Sequence, residues 1–299
     1  MKGALPVQND RKLKENTGPL FSDRSFQIRI IPIRTDTYNI LHTHWHEDIE
    51  ILYVRRGSAV FYLSDRQFEV GPEDILFVNS GMLHSGYSIN NTNVSFYAMV
   101  INRSLLSSTS GDPGYAEFIA PFADGRLNFP DKVGRDHKDH QEIKGIIDAI
   151  IKELKQKKEG YELAVKAHLQ LLVLTVYRKL VKAPGAKPAP LNHSHTMDNL
   201  KKLITHIEES YHEKLTVKDA AKIVNLSQYH FCKTFKKLTG RTFIEFLNLY
   251  RVNKAEELLR STDIPVTLIA ERVGFCNINY FDRVFRLYKR YSPSYLRKQ

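Results

Sequence analysis

The chain has 299 residues, of which 42% are hydrophobic and 26% charged, so it is long enough for about two domains with real cores. Its longest apolar run, residues 169–177, is interrupted by polar residues and is too short to cross a bilayer. The first 19 residues lack a secretory signal, and two cysteines are too few for a zinc cluster. We therefore expect a cytoplasmic protein without membrane contact.

The positive charge is concentrated in the last third of the chain. The net charge is +11, and residues 196–299 hold 19 Lys and Arg against 11 Asp and Glu. Residues 1–195 hold 25 Lys and Arg against 22 Asp and Glu, so positive and negative charges are close to balance there. A basic C-terminal region suits a polyanionic partner such as nucleic acid.

The N-terminal region begins with a polar segment, residues 1–24, for which we expect flexibility. Residues 25–135 then carry short β-type runs that are separated by Gly, Pro, Asn and Ser. Many short strands at this spacing predict a small antiparallel barrel or jelly roll. The predicted strands are Phe26–Ile33, Ile49–Val54, Ala59–Leu63, Gln67–Val70, Ile75–Val78 and Val94–Ile101.

The middle of the chain combines an irregular part with a pair of helices. Residues 111–134 contain four Gly and three Pro without a clear period, which predicts an irregular connector. Residues 136–182 carry apolar residues at helical spacing on two helices that break near Gly160. Stripes this wide must be buried, either on the barrel or in a dimer interface. Residues 183–195, rich in Ala and Pro, predict a linker.

The C-terminal region, residues 196–299, contains one helical pattern twice. Phe231 and Phe235 in the first copy correspond to Phe281 and Phe285 in the second, 50 residues later, and each pair lies at i and i+4. A short helix precedes each copy. Thr216 and Ser227 are predicted caps in the first unit, and Pro265 begins the corresponding helix in the second. This layout predicts two helix-turn-helix units in an all-α domain.

The buried Phe positions leave the opposite side of each repeated helix facing outward. An α-helix fits the major groove, where Arg or Lys reads guanine and Asn reads adenine. Asp282 would accept a hydrogen bond from cytosine or hold Arg283 in place. The predicted DNA-binding residues on the two helices are Tyr229, Cys232, Lys233 and Lys236, then Asn279, Asp282, Arg283 and Arg286.

These motifs make residues 200–296 similar to the DNA-binding domain of the AraC/XylS family of bacterial transcription regulators. The resemblance rests on a set of matching motifs, of which the longest are Phe235–Gly240, Val273–Phe275 and Arg283–Phe285. It implies that Tyr229, Cys232, Lys233, Ile278, Asn279, Asp282 and Arg283 face two successive major-groove segments. It further implies a double-stranded operator, RNA polymerase as a partner, a homodimer and an activator. Arg290 departs from the family, which usually has Gly there, so the second helix either ends under strain or ends differently.

A second chemical cluster lies in the barrel region. His44, His46 and Glu50 follow the spacing H-x-H-x3-E, and His84 comes later. Alternate strand residues face one side, so the imidazoles and the carboxylate would converge and could hold Zn, Mn, Fe or Ni. The order resembles the two motifs of the cupin fold, although Tyr38, Glu73 and Asn79 replace its usual Gly, Gly and Pro.

Three interpretations of this cluster remain open. The cupin resemblance favours a metal-free pocket for a small-molecule effector, most simply a carbohydrate, without a cofactor. A metal-containing sensor and purely structural histidines are the alternatives. Trp45 and Tyr53 would either stack on the effector or pack in the core, and Arg29 would bind its hydroxyl or acid groups. A cupin enzyme fused to a DNA-binding domain is the rival function, but we assign no catalytic residue and expect no enzyme.

Overall fold

The computed structural model describes residues 26–35, 38–106, 112–182 and 195–297, which belong to two compact units. The first unit ends at Asn192 and the second begins at His193. The predicted flexible segment 1–24 lies outside the described residues, as does the predicted linker apart from His195. Within the described ranges, no helix has both the length and the apolar composition needed to cross a membrane.

Two antiparallel sheets form the first unit within the described residues. Its strands are β1 (Ile28–Thr35), β2 (Asn39–His44), β3 (Ile49–Arg56), β4 (Ala59–Leu63), β5 (Arg66–Val70), β6 (Ile75–Val78), β7 (His84–Ser88), β8 (Val94–Ile101) and β9 (Lys132–Val133). The larger sheet has the order β1-β8-β3-β6-β9, and the smaller has the order β2-β7-β4-β5. The predicted barrel or jelly-roll-like fold is confirmed.

Side-chain alternation along β3 separates two apolar layers. Leu52 and Val54 face the smaller sheet and share a core with Phe61 of β4 and Phe96 of β8, whose rings are 5.6 Å apart. Tyr53 faces the opposite side, where it joins the core formed with the helices. Glu50 is in phase with Leu52 and therefore lies on the face between the sheets.

Helices cover the outer face of the larger sheet. They are α1 (Pro113–Phe118), α2 (Ala120–Ala123), α3 (His140–Gln156) and α4 (Tyr161–Val176), and α4 continues into a wider turn over Tyr177–Val181. The apolar stripe of α3, which includes Ile143 and Ile147, is buried in one core with Val165 and Leu169 of α4 and with β-strand residues. Packing within the chain therefore accounts for most of the predicted stripe.

Five elements of the first unit were not predicted, namely β2, β7, α1, α2 and β9. β2 lacks alternation because Ile40 and Leu41 are both buried, and its register with β7 shifts twice. β7 consists largely of small and polar residues that are all buried, so it resembles a loop in sequence. The predicted irregular connector 111–134 was wrong in part, because it contains α1, α2 and β9. Those helices have six and four residues, which is too short to show a period.

The second unit is all-helical, as predicted. Its helices are α5 (His195–Ser210), α6 (Val217–Ile223), α7 (Gln228–Thr239), α8 (Phe243–Ser261), α9 (Val266–Arg272), α10 (Ile278–Lys289) and α11 (Pro293–Leu296). Thr216 accepts a hydrogen bond from the backbone N–H of Asp219, whose side chain accepts from Thr216 N–H, and this reciprocal pair starts α6. The predicted cap at Ser227 is confirmed, because Ser227 accepts from His230 N–H at the start of α7.

The two repeated helices, α7 and α10, are built in the same way. Phe231 and Phe235 are fully buried with ring centroids 5.4 Å apart, and Phe281 and Phe285 are fully buried at 5.6 Å. Each helix ends on a left-handed residue, since Gly240 has φ 74° and Arg290 has φ 71°. Arg290 thus ends its helix as Gly240 does, at a conformational cost of about 1 kcal/mol.

Candidate functional site

The first candidate reading surface is the exposed side of α7. With Phe231, Phe235 and Leu238 buried, the helical period turns the remaining positions away from the unit. Tyr229 is 73% exposed and therefore stands well clear of the fold. The other predicted DNA-binding residues of this helix, Cys232, Lys233 and Lys236, are also exposed.

The second candidate reading surface is the exposed side of α10. Asn277 caps this helix by accepting a hydrogen bond from Tyr280 N–H at 2.9 Å. The predicted DNA-binding residues Ile278, Asn279, Arg283 and Arg286 are exposed, while Asp282 is half-buried. Both helices therefore present at least one cation and one polar or aromatic side chain to a partner.

The contacts on α10 correct one sequence interpretation. Asp282 does not hold Arg283 but accepts from Arg286 Nε at 2.8 Å, one helical turn away. The Arg283 guanidinium instead lies over the Tyr280 ring at 5.2 Å, and the Tyr280 hydroxyl accepts a hydrogen bond from buried Asn248 of α8. Asn248 and Tyr280 thus orient Arg283. The sequence alone did not indicate whether Tyr280 would pack in the core or contact Arg283.

Arg251 of α8 organises the turn that precedes α10. Its side chain donates to the carbonyl oxygens of Tyr211 and Glu213, both at 2.7 Å, so it ties the end of α5 to α8. Gly274 lies against this guanidinium, and a Cβ atom there would come within 2.9 Å of Arg251 Cζ. The sequence marked both residues as motif positions but did not indicate that they touch.

The predicted residues His44, His46, Glu50 and His84 converge in the first unit. Register pairs His44 of β2 with His84 of β7 in the smaller sheet, while Glu50 belongs to β3 of the larger sheet. Glu50 Oε2 lies 3.1 Å from His46 Nε2 and 3.0 Å from His84 Nε2, and the His44 and His84 ring centroids are 4.1 Å apart. We call these four residues the histidine–glutamate cluster.

Each histidine of the cluster is oriented by a backbone carbonyl. His44 Nδ1 contacts His42 O at 2.7 Å, His46 Nδ1 contacts Asp48 O at 3.0 Å, and His84 Nδ1 contacts Met82 O at 2.8 Å. A carbonyl only accepts, so every Nδ1 carries the proton. Burial, reinforced by His84 and His46, lowers the pKa of His44 well below its ordinary value, which keeps this ring neutral.

Comparison with known proteins identifies the family. A sequence model described as an AraC-like ligand binding domain matches residues 28–173, and one described as a helix-turn-helix domain matches residues 220–299. The chain belongs to the AraC/XylS family. The resemblance inferred from its C-terminal motifs is confirmed, and transcription regulation through DNA binding follows from this membership.

Two relatives of this AraC/XylS regulator align along most of its length. It is 25% identical over 288 residues to the uncharacterized HTH-type transcriptional regulator YdeC of Bacillus subtilis, covering 95% of each chain. It is 25% identical over 257 residues to the HTH-type transcriptional activator RhaS of an Enterobacter species, covering 85% of this chain and 87% of that one. Both are named as transcription regulators, not as enzymes.

One solved structure is similar in sequence to a third of this AraC/XylS regulator. The C-terminal domain of the two-component response regulator yesN from Fusobacterium nucleatum is 33% identical. It covers 33% of this chain and 98% of that one, with a TM-score of 0.32.

The other predicted effector residues of this AraC/XylS regulator lie at different places. Arg29 of β1 pairs with Val100 of β8, and Val100 pairs with Glu50 of β3. Arg29 therefore lies on the same face as Glu50, two strands away. Trp45 is half-buried directly after β2. Tyr53 lies on the opposite face of β3, against the helices, so the structure separates it from the cluster.

A cleft beside the cluster has room for a small molecule. Its volume is about 710 Å³, and its lining includes Glu47, Asp48, Arg103 and Tyr115. Glu47 and Asp48 lie between His46 and Glu50 in the chain, so the segment that supplies the cluster also forms one wall of this cleft. The sequence did not indicate this cleft, because its residues come from strand ends and from the unpredicted helices α1 and α2 of the connector.

Proposed function

We propose that this regulator is a cytoplasmic, effector-responsive activator that binds a repeated operator as a homodimer and acts with RNA polymerase. The proposal is supported by one observation: the chain combines two matching candidate DNA-binding helices, α7 and α10, with a separate compact unit. That other unit contains a cleft with room for a small molecule. In this mechanism, effector binding to the first unit shifts the equilibrium between arrangements of the two DNA-binding units of the dimer.

The dimer proposal rests on α4. This helix buries Val165, Leu169 and Leu172 against its own unit, yet Leu163 and Leu171 on its other side are 73% and 48% exposed. A helix with apolar residues on both sides is stable where protein covers both sides, so a partner is expected on the exposed side of α4. A second copy of this chain is the proposed partner.

Replacing both Leu163 and Leu171 with Glu is expected to convert dimers to monomers. Each buried Leu contributes about 1.5–3 kcal/mol, so the dimer dissociation constant should rise at least about 100-fold. Sedimentation equilibrium measures the change. Gln141→Glu on α3 is the control, since it adds a carboxylate at another exposed position. Dimers that persist in the double variant at unchanged affinity would place the interface elsewhere.

A carbohydrate is the proposed effector, and the cleft beside the cluster is its proposed site. The lining offers the carboxylates of Glu47 and Asp48, the guanidinium of Arg103 and the ring of Tyr115. Charged and amide groups of this kind bind hydroxyls, and aromatic rings stack on sugar faces. Trp45, Arg29 and the four cluster residues remain predicted effector contacts, and Tyr53 is the predicted contact that we exclude because of its position.

The effector is tested by a thermal-shift screen of the full chain against sugars and sugar acids. A binding sugar should raise the melting temperature in a concentration-dependent way, because it binds only the folded state. Arg103→Gln should remove the shift, whereas Tyr53→Phe on the far side of β3 should keep it. A shift that appears only with apolar ligands, or that survives Arg103→Gln, contradicts the proposed site.

A further inference from the structure

We propose that the first unit carries a DNA contact of its own, a cationic patch that binds the phosphate backbone of the duplex beside the operator. The cationic patch consists of Arg34 of β1, Arg55 and Arg56 of β3, and Lys155 of α3, and all four are exposed. It adds affinity and salt dependence without sequence preference, because phosphates carry no sequence information. The contact rests on DNA binding by the second unit, which brings the first unit to DNA.

The sheet register places Arg34 and Arg56 on either side of one residue. Both are Cα partners of Ser95 on β8, the strand between β1 and β3. Neighbouring strands are about 4.8 Å apart, so the backbones of the two arginines are roughly 10 Å apart at the same level of the sheet. Residues directly opposite each other on paired strands share a face, so both arginines lie on the face of Ser95.

An irregularity in β3 adds Arg55 to this face. The register of β3 on β8 shifts between Val54 and Arg56, which makes Arg55 an extra residue in the strand. The Arg55 guanidinium lies 5.5 Å from the centroid of the Tyr97 ring. Tyr97 is two residues from Ser95 on β8, so the two share a face. The bulge therefore brings Arg55 and Arg56 to one face, whereas regular alternation would send them to opposite faces.

Tyr97 also orients the fourth cation of the patch. Lys155 Nζ lies 4.4 Å from the centroid of the Tyr97 ring and donates a hydrogen bond to its hydroxyl at 2.6 Å. Contacts of a cation with an aromatic ring are attractive, so one ring holds both Arg55 and Lys155. Side chains that are already ordered lose less freedom when they bind a phosphate.

The four positive charges have no compensation within the first unit. In the parts of the chain that the structure describes, none of the four forms an ion pair with a carboxylate. Like charges at neighbouring positions of a sheet repel each other, so the grouping destabilises the free protein. Residues 1–195 are close to charge balance, so composition does not explain the grouping. A polyanion bound from outside supplies the missing negative charge.

The side chains of the patch favour DNA phosphates over an acidic protein surface. Three of the four cations are arginines, whose planar guanidinium binds phosphate through two parallel hydrogen bonds. The hydroxyl of Ser95 between two of them is a further donor of the kind that contacts phosphate. A protein partner usually needs an exposed aromatic or apolar anchor. Tyr53 is buried, however, and the Tyr97 ring has Arg55 and Lys155 over it.

The connection between the units keeps operator DNA within reach of the patch. Twelve residues, 183–194, separate the described parts of the two units. Even fully extended, they span at most about 45 Å. DNA bound by the second unit is therefore at high local concentration for the first, and a duplex carries one phosphate charge per about 1.7 Å.

The patch is tested by the salt dependence of DNA binding by the full chain. The double variant Arg34→Gln, Arg56→Gln is compared with wild type on a random-sequence duplex and on an operator selected from random DNA. Loss of two phosphate contacts should lower the slope of log K against log salt by about 1.8 and weaken binding to both duplexes by about 10–100-fold at 0.1 M salt. The operator should carry about 20 base pairs of flanking duplex on each side, which exceeds the span of the connection. Removing these flanks should weaken binding by wild type but not by the variant.

The matched control is the double variant Arg135→Gln, Lys138→Gln. It removes the same charge from exposed residues near the other end of α3, whose 17 residues place Lys138 about 25 Å from Lys155. Its slope should equal that of wild type. The proposal is overturned if the patch variant keeps the wild-type slope, or if the control lowers the slope equally.

Two further outcomes separate this contact from other roles. Unchanged DNA binding by the patch variant, combined with reduced transcription in a purified system, would assign the patch to an acidic protein partner and overturn the proposal. Failure to select any preferred operator would contradict base reading by α7 and α10. The random-sequence duplex would still decide whether the cationic patch binds phosphate.

Discussion

Arg283→Ala is expected to weaken binding to the cognate operator by about 1–3 kcal/mol, and to relax sequence preference at one base pair. Arg283 is exposed on α10, and its guanidinium is held over the Tyr280 ring at 5.2 Å. A side chain oriented in this way loses less freedom when it forms two hydrogen bonds to guanine. Binding to an operator selected from random DNA, and to single-base variants of it, measures the effect.

Lys236→Ala is the comparison for this experiment. Lys236 is exposed near the end of α7, where we expect it to contact phosphate instead of a base. Its removal should weaken binding to all sequences alike and reduce the salt dependence. If Arg283→Ala also weakens every sequence equally, or changes nothing, Arg283 does not read a base.

Gly274→Ala is expected to lower the free energy of unfolding of the second unit by about 2–4 kcal/mol. Gly274 has φ +92°, and an added Cβ would lie 2.8 Å from His212 O and 2.9 Å from Arg251 Cζ. The methyl group would displace a buried guanidinium that makes two hydrogen bonds of 2.7 Å. Hydrogen bonds to a charged group contribute about 1.5–3 kcal/mol, and the left-handed backbone adds about 1 kcal/mol.

The two units can be followed separately during denaturation. The chain has one tryptophan, Trp45, so its fluorescence reports on the first unit, while circular dichroism also follows the helical second unit. Gly274→Ala should move the helical transition and leave the Trp45 transition in place. Gly160→Ala is the control, because its φ of +76° is similar but no atom lies within 4 Å of the added methyl group. Gly160→Ala should lower the free energy of unfolding by only about 1 kcal/mol. An equally small decrease for Gly274→Ala would mean that the Arg251 side chain moves aside without cost.

The second unit could be predicted almost completely from sequence. Its signals are local, because a helix repeats its apolar residues every turn and begins at a recognisable cap, as at Thr216 and Ser227. The sequence did not determine which partner each exposed charged side chain contacts. Asp282 has cations at i+1 and i+4, and only the helix geometry selects Arg286 over Arg283.

The first unit was less predictable because its contacts are not local. β2 and β7 carry two of the three histidines of the cluster, yet neither alternates as a half-buried strand does. The spacing of His44 and His46 indicated convergence with His84, but the carbonyl partners of their Nδ1 atoms depend on turns that the pattern does not encode. Tyr53 was predicted to contact the effector because it is an aromatic residue on a barrel strand. It lies three residues from Glu50 on β3, however, and an odd separation along a strand places the two side chains on opposite faces.

The central claim is that each chain reads two successive major-groove segments, one with α7 and one with α10. A methylation-protection footprint on an operator selected from random DNA tests it most directly. We expect two protected major-groove segments per chain, about 10–10.5 base pairs apart. Lys233→Ala should remove protection at one segment and Arg283→Ala at the other. Failure to select any preferred sequence, or a single protected segment that both variants affect equally, would contradict it.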